Sequence, residues 1–160
     1  MLPTACAPIS SDRTRIPPGP TTPLRVCVPM PPYRYVPGLL PHPFLHASGH
    51  RNLPKVAPEV AFERGLDLFD QRFYWEAHEV WECLWRETDR SGPAALLLQG
   101  LIFWAAAALK RHLGDERSAA RLLLEARARL SAVPVASARG LDLSRLLVRL
   151  DEPWPSLWVD

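Results

Sequence analysis

From residue 58 onward, apolar side chains recur at the 3.6-residue period of a helix. Ala61, Phe62, Leu66 and Phe69 are spaced one, four and three apart and predict a first helix from Pro58 to about Asp70–Arg72. Pro58 suits the first turn, where its missing N–H is not needed, and Glu59 and Glu63 favour the positive end of the helix dipole. A second helix is expected from Phe73 to Glu87, and a third, opened by Pro93, from there to Leu113. The third is apolar nearly all round (Leu96, Leu97, Leu98, Leu101, Ile102, Phe103, Trp104, then four alanines), which makes it the central helix of a bundle. Gly114 supplies its stop, Asp115 caps a fourth helix to about Leu130, and Asp142 caps a short fifth, Leu143 to Leu150. No segment alternates with period two long enough for a strand. The pattern therefore predicts an all-α domain of four to five antiparallel helices over residues 57–151. A tail, 152–160, follows, and its Trp154 and Trp158 are expected to pack back on the bundle.

Residues 1–58 contrast with this. They hold 14 of the 18 prolines and six basic residues against the single acidic Asp12. So many prolines remove backbone donors and push the chain toward extended conformations, so residues 1–56 read as a disordered or loosely draped arm. The arm lacks the apolar run of a secretory signal, and its prolines forbid the amphipathic helix of a transit peptide. It reads instead as an appended tail or as sequence upstream of the true start. His42, His46 and His50 have helical metal-ligand spacing, but Pro41 and Pro43 remove that helix.

Charge and cysteine content narrow the partners. The net charge of +2 calls for no polyanion. Arg117, Arg121, Arg127 and Arg129 are interleaved with Glu116 and Glu125, which suits a solvated face better than a nucleic-acid groove. The longest unbroken apolar run, Leu101 to Leu109, is nine residues, against the roughly 20 of a membrane span, so no membrane partner is expected. Three scattered cysteines, Cys6, Cys27 and Cys83, form no disulfide framework and no CxxC site, and point to the cytoplasm.

The chemistry is concentrated on the second helix. Phe73, Ala77, Val80, Trp81 and Leu84 form its apolar arc, and His78, Glu79, Glu82 and Arg86 a polar one, with Trp75 and Trp85 at its walls. Large aromatics beside a polar arc imply that it is partly covered, by the tail, another helix or a partner. Glu76, His78, Glu79, Glu82, Trp85 and Arg86 are the candidate binding residues, and His78, Glu79 and Glu82 the candidate catalytic ones. An imidazole with two carboxylates suits a divalent metal, with His78 and Glu82 as ligands, or an acid–base pair. No other cofactor is indicated. The zincin HExxH pattern is incomplete, since Glu82 stands at the second histidine position and only His112 offers a distal ligand. A hydrogen-bonded structural network is the competing reading. Cys83 lies among carboxylates that disfavour a thiolate, so it is a poor nucleophile. A helical-hairpin interaction module, or a homodimer through the aromatic edge, is the non-enzymatic alternative. Gly65, Leu68, Ala77 and Trp81 sit at tetratricopeptide offsets, but the interval from Ala77 to Ala119 is not that repeat's length.

These residues together resemble the small all-helical family catalogued as domain of unknown function 309. The resemblance rests on Phe62, Gly65 and Leu68-Phe69, then Tyr74, Glu76-Ala77-His78-Glu79, Glu82 and Trp85, then Gln99-Gly100-Leu101-Ile102 and Gly114-Asp115. It implies a helical fold and brings no assigned activity. Phe103 and Lys110 depart from the family's polar residues at those places, which would thin any network facing the arc.

Overall fold

The computed structural model describes residues 12–20, 23–41, 56–155 and 157. Among them are five α-helices and no strand: α1 (Pro58–Asp70), α2 (Tyr74–Arg86), α3 (Pro93–His112), α4 (Glu116–Ala132) and α5 (Leu143–Arg149), with a 3-10 turn at Val135–Ser137. The helices pack in chain order, α1 on α2, α2 on α3, α3 on α4 and α4 on α5. The predicted bundle and its helix boundaries hold to within two residues.

The ends follow from local chemistry. Asp115 accepts the Ser118 N–H at 3.0 Å and Asp142 the Arg145 N–H at 3.2 Å, so both expected caps form. Gly114 adopts φ 80°, the Asp115 N–H reaches the Lys110 carbonyl, and α3 closes in a Schellman turn. The α1–α2 connection uses the same turn with Arg72 at φ 65° in the glycine position, the Phe73 N–H reaching the Leu68 carbonyl.

The core is aromatic where α1, α2 and α3 meet. Phe69 meets Tyr74 edge-on (5.2 Å between centroids) and Trp104 (5.1 Å) and Trp81 (6.0 Å) at a tilt. Helix α3 is long and apolar enough, by length and composition, to cross a membrane, although its longest unbroken apolar run is nine residues. The apolar stretch continues across Gln99 and Gly100, which an unbroken-run count misses. In the bundle this helix is central, 56% of that stretch being buried between its neighbours. Leu124, Val135 and Val148 remain exposed.

The described stretches of the arm contain no helix or strand, as their prolines dictate. They are laid across the bundle, with Ile16, Tyr35 and Val36 buried. His42, His46, His50, Cys6 and Trp158 lie outside the described residues. Trp154 packs back on the bundle as expected, beneath the Arg72 guanidinium (4.5 Å) and beside His112.

Candidate functional site

Helix α2 turns one face to the core through Tyr74, Ala77, Val80, Trp81 and Leu84. That leaves His78, Glu79 and Glu82 on the opposite arc, with side chains 28%, 31% and 29% exposed, half-buried rather than fully solvated. The imidazole sits between two carboxylates: Nδ1 lies 3.4 Å from Glu79 Oε1, and Nε2 lies 3.7 Å from Glu82 Oε2. One ligand atom from each residue falls within 4.8 Å of the others. Arg86 donates to Glu82 Oε1 at 2.7 Å, holding that carboxylate so that Oε2 faces the histidine. The expected His78–Glu79–Glu82–Arg86 constellation is thus assembled on one helix face.

Its walls lean on the core. Trp75 meets the Tyr35 ring edge-on at 4.6 Å, and Trp85 lies under the Arg90 guanidinium at 4.6 Å. At the N-terminal end of α2 it is the arm, and neither the tail nor another helix, that lies against Trp75 and Glu76. Trp154 does not join the arc; its partners are Arg72 and His112. His112 does not join His78, Glu79 and Glu82, and its Nε2 lies 2.7 Å from the Arg13 carbonyl. Phe103 lies under Arg129 of α4 and Lys110 pairs with Asp115, so both departures from the family pattern are engaged on the α4 side.

Glu76 stands apart from the histidine group. Its Oε1 accepts the Tyr35 N–H at 2.8 Å, and Oε2 is buried with no hydrogen-bond partner among the described residues. Burial pushes its carboxyl up to about 7, against the downward pull of the Tyr35 N–H and of Arg34. The folded value exceeds the unfolded one, so ionisation of Glu76 destabilises the fold increasingly as pH rises from about 4.5 to 7. Glu76→Gln keeps an acceptor for Tyr35 and removes the charge. Urea unfolding should show it more stable than the parent chain by about 1–3 kcal/mol at pH 8 and nearly equal at pH 4.5. An equal difference at both pH values would contradict a buried titrating carboxyl. Cys83 is exposed, and burial of its thiol, then Glu79, raises its pKa, in keeping with its reading as a poor nucleophile.

Sequence reasoning missed a second group of charges. Asp67 and Asp70 of α1 are 2% and 1% exposed, and Arg25 of the arm pairs with both. Their i, i+3 spacing was visible, but nothing in the helical pattern identified a cation 42 residues upstream.

Among known protein families, the model described as Domain of unknown function (DUF309) matches residues 62–122, which supports the resemblance drawn from the α2 motif. No curated protein and no solved structure matches the chain.

Proposed function

We propose, on the premise that residues 62–122 carry this family's helical domain, that the α2 arc binds a divalent cation through His78, Glu79 and Glu82. The observation that carries the reading is the convergence of one nitrogen and two carboxylate oxygens within 4.8 Å on a half-buried face. A bound ion of the zinc type needs its ligands about 2.0–2.2 Å away, so the two carboxylates would have to rotate onto one and the same imidazole nitrogen to complete three protein ligands. Arg86 then serves as the outer partner that orients Glu82, as ligand carboxylates require. The donor set, one imidazole and two carboxylates, suits borderline rather than soft metals. Positions left open on such an ion would admit water or an anionic ligand. The same geometry supports binding better than covalent catalysis, because the thiol nearest to the arc is the disfavoured Cys83.

Titrating the full chain with zinc and with manganese in a calorimeter should give one site with a dissociation constant in the micromolar range. His78→Ala and Glu82→Gln should each weaken it at least tenfold, while Glu76→Gln leaves it unchanged. Binding that survives both ligand variants, or no binding at millimolar metal, would sink the metal reading. A stability loss in His78→Ala without any metal response would instead favour a structural network.

The cytoplasm is the compartment we propose, supported by exposed free thiols at Cys27 and Cys83. For a protein partner or second copy, the supporting feature is the exposed apolar set Leu124, Val135 and Val148.

A further inference from the structure

The way α1 holds the arm has the form of a recognition site. Arg25 Nη1 lies 3.1 Å from Asp67 Oδ1 and 2.9 Å from Asp70 Oδ2. The main-chain N–H groups of Arg25 and Val26 donate to the same Asp67 carboxylate, Arg25 at 3.0 and 2.9 Å to its two oxygens and Val26 at 3.1 Å. One turn back along α1, Arg64 donates to the Val28 carbonyl at 2.7 Å and also to the Pro29 carbonyl. A carboxylate and a guanidinium on one helix therefore read the N–H and C=O groups of one irregular segment, which bends at Arg25-Val26 and again at Pro32-Tyr33. Further along, Glu76 takes the Tyr35 N–H, Arg34 lies over the Phe73 ring at 4.1 Å, and Val36 is fully buried.

We infer that this face of α1 and the start of α2 is a binding site for an arginine-bearing, proline-interrupted polypeptide without helix or strand, which residues 25–36 fill in cis. Three features carry this. Recognition is mostly of main chain, the mode that captures extended peptides, with Arg25 and Val36 as side-chain anchors. Pro29, Pro31 and Pro32 restrict the segment's backbone beforehand, which lowers the ordering cost of binding. The gripping residues Arg64, Asp67, Asp70 and Glu76 all lie inside the family match of residues 62–122, whereas their occupant lies outside it. Two carboxylates facing one guanidinium also leave the site acidic, so a displaced arm would be replaced by another arginine segment rather than by an apolar one.

The test is exchange. A protease site is substituted into residues 42–55 of the full chain and cut after folding, and a labelled synthetic peptide of residues 23–41 (with Cys27→Ser) is offered in excess. The cut arm should co-elute with the bundle, and the labelled peptide should displace it. The peptide carrying Arg25→Ala should compete at least tenfold more weakly, and the uncut chain should bind little label because its own arm occupies the site. Asp67→Asn in the cut chain should weaken uptake similarly. Because Arg25→Ala is made in the peptide, its outcome does not depend on a destabilised bundle folding. Equal competition by the two peptides, equal labelling of cut and uncut chain, or loss of the arm with no uptake of peptide would overturn the site. An uncut chain that runs as a dimer and falls to monomers on cutting would overturn its occupancy in cis.

Discussion

Arg25→Ala in the full chain should lower the free energy of unfolding by about 3–5 kcal/mol, the usual cost of stripping one partner from a buried ion pair. Asp67 and Asp70 are almost fully buried, and Arg25 is the cation paired with both. Without it, two carboxylates three residues apart face each other across a low dielectric. The N–H groups of residue 25, Val26 and Leu157 would remain to stabilise them. Hydrogen bonds of this kind contribute about 1.5–3 kcal/mol each to a charged acceptor, which prevents collapse but does not replace a charge. Arg86→Ala is the internal comparison. Its pair with Glu82 is as short, 2.7 Å, but the guanidinium is 61% exposed, and such surface pairs contribute about 0–1 kcal/mol. Urea unfolding of both variants at one pH measures the contrast. A loss below about 1 kcal/mol for Arg25→Ala would show that water reaches the aspartates when the arm leaves. It would also show that the arm is ornamental to stability.

That contrast also marks what the sequence could reveal. Short-range chemistry was legible: Pro58 and Pro93 open helices, Asp115 and Asp142 cap them, Gly114 stops α3, and the 3.6-residue stripe orients α2 so that His78, Glu79 and Glu82 share a face. Each of these depends on residues within about one turn of one another. The connection at Arg72 was not signalled, because a left-handed turn normally announces itself by glycine and here an arginine takes it. The guanidinium of that residue is held by Trp154 and directed at the Pro17 carbonyl, contacts from both ends of the chain. The arm's attachment was hidden for a related reason. A proline-rich composition describes how a segment behaves alone, and the buried carboxylates that capture it read on α1 as ordinary polar positions of an amphipathic helix. The arm's contact at the start of α2 depended on Tyr35, which no local pattern connects to residue 75.

The second large effect is expected at Gly65, where α1 and α2 cross. The Trp81 indole lies against this position and donates from Nε1 to the Phe62 carbonyl at 3.3 Å. A Cβ on residue 65 would stand 2.6 Å from Trp81 Cδ1 and closer still to Nε1 and Cε2. Trp81 is fully buried and tilted against Phe69, so the ring has little room to retreat. In an exposed helix, glycine to alanine gains about 1 kcal/mol from helix propensity. Here the clash should reverse that sign and cost about 3 kcal/mol or more, at the upper end of what overpacking does to a closed core. Gly100→Ala provides the calibration at the α3–α4 crossing. The new Cβ would meet Leu130 Cδ2 and Cγ at 2.6 Å. A leucine can change rotamer where an indole pinned on both faces cannot, so a loss of about 1–2 kcal/mol is expected there. Adding Trp81→Phe to Gly65→Ala removes the indole atoms that collide, so the double variant should lose less than the sum of the single losses. Additive losses, or a Gly65→Ala chain as stable as the parent, would mean that the hairpin opens freely at this crossing. The α2 arc would then rest on a movable helix, and His78 could not be held against Glu79 and Glu82 by the packing beneath it.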